Sequence, residues 1–187
     1  MPETLNLIVG KSSRGAPVFE EVLVERWGPE RYRLLRSPGL ALGLAADDIF
    51  EVDADGNFRV LERGGNVCIQ IFSTSALAEA EAEATRRLAL LGGRLDGRAA
   101  KELVYTVAAS VGFGPIEEAL RAVVARVPEA EWYFGNVYDP VDGVTPLDGG
   151  RKSPKRATFL AATLRSGAKS SSVRPPTWPR PLVSSNA

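Results

Sequence analysis

At Ser73 the apolar pattern of this chain changes period. Just before it, residues 66–72 (NVCIQIF) are rich in β-branched side chains and read as a strand. Just after it, Leu77, Ala80, Ala84, Leu88 and Leu91 recur at i, i+3, i+7, i+11 and i+14, which is one stripe of an amphipathic helix. Ser73 or Ser75 can cap that helix and Gly92-Gly93 ends it. Residues 102–110 (ELVYTVAAS) are the next strong strand. A second helix follows in GFGPIEEALRAVVARVP, with Pro115, Glu117 and Glu118 suiting its first turn and Pro128 its stop. Residues 129–139 (EAEWYFGNVYD) close with an aromatic strand. With a weak strand around residues 94–96, residues 66–139 read βαββαβ, the ferredoxin-like split motif. The weak strand has little β character, so it belongs at a sheet edge or in a loop.

Residues 17–65 carry shorter β signals. In VFEEVLVERW, Val18, Val22 and Val24 face inward; RYRLL, DIFEVD and FRVLERG follow as short strands, and Asp55-Gly56 is a strong hairpin signal. Four or five such strands are too few for a sandwich, so a small SH3-like β-barrel or a curled sheet is expected. Residues 1–16 read as an N-terminal arm in which LNLIV can form an edge strand. Residues 140–187 are rich in Ser, Pro and Arg and poor in apolar residues, the composition of a disordered tail. The expected class is α+β.

Chemistry is bounded by two counts. The chain has no histidine and a single cysteine, Cys68. Ser–His–Asp and Cys–His catalysis, His-liganded zinc, a thiolate cage and an internal disulfide are thereby excluded. The alternation of Val67, Ile69 and Ile71 around Cys68 suits an inert, buried thiol. The net charge of zero hides a segregation: residues 149–187 hold eight basic residues and no acid, leaving 15 basic and 23 acidic residues in 1–148, a net −8. The N-terminus lacks the pattern of a secretion signal and no apolar run is long enough to span a bilayer, so a cytoplasmic location without membrane contact is expected.

Four aspartates, Asp47, Asp48, Asp53 and Asp55, surround Ile49 and Phe50. An EF-hand loop needs glycine at its sixth position and glutamate at its twelfth; here Gly56 comes fourth from Asp53 and Gly64 twelfth, so that reading fails. Turn-forming carboxylates are the simpler reading. Gly112-Phe113-Gly114 precedes a helix, but Glu117 and Glu118 would repel a phosphate there. The aromatic strand resembles the base-stacking strands of RNA-binding sheets but lacks their basic surroundings. No cofactor or metal is expected.

EEVLVERWGPERYRLLRSP, LALGLAADDIFEV, DADGNFRVLERGGNVCIQIF, LGGRLDG, ELVYTVAAS and YFGNVYD together resemble the domain of unknown function 4265, over about residues 17–139. In that family a Ser-Gly-His-Ser-like run often precedes the long strand; here the place reads Gly64-Gly65-Asn66, without its histidine. The resemblance implies a fold and a soluble bacterial origin, and no activity.

Four functional classes stay open. The foremost is a non-catalytic, acidic protein-interaction module, of the kind represented by immunity proteins that neutralise a basic bacterial toxin or nuclease. Its candidate surface combines Asp47, Asp48, Glu79 and Glu83 with Trp132 and Tyr133. A regulatory small-molecule-binding domain is the second. Third is nucleic-acid binding through the tail, with Arg151, Lys152, Lys155 and Arg156 as candidates. An enzyme would have to work through Asp47, Asp48 and Asp53.

Overall fold

The computed structural model describes residues 1–137. The basic tail, with Arg151, Lys152, Lys155 and Arg156, lies outside the described residues, as do the last two positions of the 66–139 unit.

Among the described residues nine strands and two α-helices follow one another: β1 (Pro2–Lys11), β2 (Pro17–Gly28), β3 (Arg31–Leu34), β4 (Ile49–Val52), β5 (Phe58–Glu62), β6 (Asn66–Phe72), α1 (Leu77–Ala89), β7 (Arg94–Arg98), β8 (Glu102–Ala108), α2 (Phe113–Arg126), preceded by a short 3-10 turn (Ala109–Val111), and β9 (Glu131–Phe134). The chain is therefore α+β. β1 to β5 form one antiparallel sheet in sequence order, and the other four strands form a second in the order β7-β8-β6-β9. The strand–helix–strand–strand–helix–strand order is the one its periodicity predicts. Residues 2–11, read as an arm, are a full edge strand paired with β2 along its length.

The first sheet does not close into a barrel. Closure needs β5 to pair with β1, and β3, β4 and β5 are only four or five residues long against ten and twelve in β1 and β2. Across that gap the backbone bond between the described elements runs from the Ile8 N–H to the Gly56 carbonyl, 3.0 Å, in the β4–β5 turn. Leu7, Val22, Val24, Leu34, Leu44 and Phe50 fill the concave side.

In the second sheet, Val67, Ile69 and Ile71 of β6 and Leu103, Tyr105 and Val107 of β8 face the helices. Leu77, Ala80, Ala84 and Leu88 meet them from α1, and Ile116, Leu120 and Val123 from α2. The Ser73 hydroxyl accepts the Ala76 N–H at 3.1 Å at the start of α1. The weak strand exists as β7, on the sheet edge.

Candidate functional site

The opposite face of the second sheet mixes polar groups with Val104 and Phe72, and it is buried. Cys68, Gln70 and Thr106 there are each at most 1% exposed. What covers them is the segment between β3 and β4, residues 35–48, a strap laid between the two sheets. A buried loop brings backbone N–H and C=O groups that no ladder satisfies, so its neighbours must supply partners. Glu20, in phase with inward-facing Val22 and Val24, does this from β2. Its carboxylate accepts the N–H groups of Gly39, Leu40 and Ala41 at 2.7, 2.9 and 2.6 Å. Asp96 of β7 accepts the Ser37 N–H at 2.7 Å, the Thr106 hydroxyl at 2.5 Å and Arg94 Nε at 3.0 Å. The Gln70 amide donates to the Gly39 carbonyl at 2.7 Å.

Two groups on this face have unusual protonation. Burial pushes the Cys68 thiol far up, so it stays protonated and is a poor nucleophile. Glu102 of β8 lies directly under the strap: a Cβ added to Gly39 would stand 3.1 Å from both its carboxyl oxygens. Its Oε1 is buried and has no hydrogen-bond partner among the described residues. Burial first, and the charge of Glu20 second, push its pKa up to about 8. Burial likewise raises Glu20, but its three backbone donors oppose that shift.

The four aspartates do not converge. Asp48 is fully buried and accepts from Ala45 N–H (3.0 Å), Gly64 N–H (2.8 Å) and Arg63 Nη1 (3.0 Å). Asp47 holds a left-handed conformation (φ 69°) and accepts from Asn66 Nδ2 at 3.1 Å. Gly64 packs so closely there that a Cβ would come 2.3 Å from the Asp47 carbonyl carbon, so only glycine fits. Asp53 is exposed and closes the β4–β5 turn by accepting the N–H groups of Asp55 and Asn57, both at 2.9 Å. Hydrogen bonds from the Asn57 side chain and backbone hold its carboxyl below the usual range.

The remaining candidates lie on other parts of the molecule. Glu79 pairs with Arg126 at 3.2 Å, joining α1 to α2, and Glu83 pairs with Arg86 (2.8 Å) and Arg87 along α1. Trp132 sits on the helix side of β9 against Phe134, ring centroids 5.3 Å apart. Tyr133 is buried on the strap side and its hydroxyl donates to Glu131 at 2.7 Å. Asp48 and Tyr133 therefore do not belong to any surface: each is drawn inward because it satisfies a polar group at a packed junction. Among the described residues no three His, Cys, Asp or Glu side chains are grouped to hold a metal ion, and no helix is long and apolar enough to cross a membrane.

Residues 20–130 match the model of the family described as domain of unknown function (DUF4265). The chain belongs to the DUF4265 family. No curated protein matches it in sequence. In fold it is similar to a hypothetical protein from Neisseria gonorrhoeae known from its crystal structure, with a TM-score of 0.53 at 14% identity, covering 72% of this chain and 94% of that one. At that identity the likeness concerns the fold alone.

In this DUF4265 chain, the outer face of the first sheet carries two of the exposed large apolar side chains among the described residues, the others being Met1, Leu90 and Phe113. Phe19 and Trp27 of β2 are 50% and 54% exposed. Phe19 is paired with Ile8 of β1, and Glu21, Leu23 and Glu25 alternate onto the same face between the two rings. Arg33 of β3 places its guanidinium 5.5 Å from the Trp27 ring centroid and pairs with Glu25 at 3.0 Å. Neither this stripe nor the Glu20, Asp96 and Glu102 set is among the residues singled out from the sequence. Two signals were there to find them. Phe19 and Trp27 fall out of phase with Val22 and Val24, whereas Glu20 falls in phase with them.

Proposed function

We propose that this chain is a non-catalytic protein-interaction module that docks through the outer face of its first sheet. The observation that carries this reading is the half-exposed pair Phe19 and Trp27 with Glu21 and Glu25 between them. Exposed aromatic rings on rigid strands are efficient anchors, and interleaved carboxylates select for cationic side chains that can also stack on the rings. A basic protein is the partner that fits this chemistry, as in the neutralisation of a basic toxin or nuclease by an immunity-type protein. The carboxylates outside this stripe support the same choice in a negative way. Most of those on the helices are engaged with the body's own arginines, including Glu79, Glu81, Glu83 and Glu117. The second sheet's strand order supports a ferredoxin-like unit, and the single Ile8–Gly56 bond supports a curled first sheet.

The test is a pull-down from source-cell extract with the full chain and with a Phe19→Ala/Trp27→Ala double variant, eluted in salt steps. A stoichiometric basic protein held by the first, released by salt and lost from the second, supports the proposal. A protein retained equally by both, or nucleic acid alone, overturns it.

A further inference from the structure

We infer that Glu20 and Glu102 hold a single proton between them across Gly39, and that this pair is a proton-gated latch keeping the 37–41 strap closed between the two sheets. The argument begins with asymmetric solvation. Both carboxyls are packed against the same residue from opposite sheets: Glu20 accepts the Gly39 N–H, and both Glu102 oxygens stand 3.1 Å from where a Gly39 Cβ would be. Glu20 has three backbone donors, which favour its charged form. Glu102 has none at Oε1, an arrangement that is costly for a carboxylate and tolerable for a neutral acid. Glu20 is buried and Glu102, though partly exposed as a residue, has its Oε1 shut off from water without a donor, so two like charges at this joint are not both accommodated and one proton stays with the pair, on the Glu102 side.

Among the described residues, no cation is brought against Glu102 Oε1. β6 presents neutral Cys68 and Gln70 on this face; β7 presents Asp96, whose charge is shared with Arg94; β9 presents Glu131 and Tyr133, bonded to each other. On the strap itself Arg36 stands beside Ser37, and Lys101, next to Glu102 in sequence, is exposed. The charge that acts on Glu102 is that of Glu20.

The direction of the pH effect follows from linkage. With the strap closed, Glu102 titrates near 8; with the strap lifted it meets water and returns towards 4.5. The closed form therefore binds more protons between these values, so its stability is fully present below 4.5 and is lost as pH rises to 8. Opening should grow about tenfold per pH unit inside that window and level off above it.

The experiment is amide hydrogen exchange at Gly39, Leu40 and Ala41 in the full chain, corrected for intrinsic rates, from pH 6 to 9. The expected result is an opening equilibrium that rises about 50-fold between pH 6 and 8 and flattens near 100-fold by pH 9, with most of that rise lost in Glu102→Gln. An equal rise in Glu102→Gln overturns the latch. A carbon-13 titration of the glutamate carboxyls in the wild-type chain decides the matter if the variant does not fold. A Glu102 midpoint near 8 supports the shared proton, and one in the ordinary glutamate range overturns it.

Discussion

The two faces of the second sheet solve burial in different ways. Towards the helices it offers Val67, Ile69, Ile71, Leu103 and Val107, and the partners answer with Leu, Ala, Ile and Val. Towards the strap it offers Gln70, Asp96 and Thr106, which meet the Gly39 carbonyl, the Ser37 amide and the Ser37 hydroxyl, and Glu102, whose Oε1 meets no donor among the described residues. A helix satisfies its own backbone and shows its neighbours methyl groups. A loop does not, so the sheet beneath it must carry donors and acceptors. Polarity on the strap side is therefore a requirement of what covers it.

The comparison is sharpest where one substitution is made on each face. Ile69→Ala should cost about 3–4 kcal/mol through lost apolar burial and a residual cavity. Asp96→Ala should cost a similar amount, about 3–4 kcal/mol, because it leaves the Ser37 amide and Thr106 hydroxyl buried without their acceptor. Urea unfolding of both variants checks this. If Asp96→Ala proves nearly neutral, water has replaced the carboxylate and the strap face is wetter than the packing implies.

How much of this was legible beforehand follows from the same contrast. The helix face can be read from periodicity: the Leu77, Ala80, Ala84, Leu88 stripe and the alternation of β6 point to each other. The strap face cannot be read that way, because alternating polar residues signal a solvent face when the cover is not known. Glu20 illustrates the difficulty. Its phase puts it inward with Val22 and Val24, but a glutamate in an inward position is credible only once three loop amides are known to be waiting for it. Asp48 misleads in the opposite direction, since a pair of loop aspartates looks like surface charge until Ala45, Arg63 and Gly64 are seen around one of them. Of the two expectations for the first sheet, a small barrel or a curled sheet, closure into a barrel fails for a geometric reason: β3, β4 and β5 are too short to bring β5 alongside β1.

Backbone proximity at the edge of the strap gives a second, smaller test. Gly64→Ala forces a methyl group into the Asp47 backbone and should cost about 2–3 kcal/mol, or more if the strand cannot shift. Gln70→Ala should follow at about 1–2 kcal/mol, since it strands the Gly39 carbonyl but leaves the Glu20 bonds intact. Thermal or urea midpoints rank the pair. A reversed order would mean that the Asp47 turn gives way easily and the strap is held mainly through Gln70.

The smallest stability effect is expected on the outer face of the first sheet. Trp27 is more than half exposed and its ring touches the Arg33 guanidinium, so Trp27→Ala removes little buried area. A change within about 0.5 kcal/mol in urea unfolding is the expected outcome. That near-neutrality is itself informative. A large aromatic residue that does little for the fold occupies a position that most polar residues would fill at lower risk of aggregation. If the variant folds as well as the parent but no longer retains a basic partner, the ring is there for recognition. If instead it unfolds at markedly lower urea, Trp27 and Arg33 form part of the packing of β2 on β3, and the stripe loses its claim to be a docking surface.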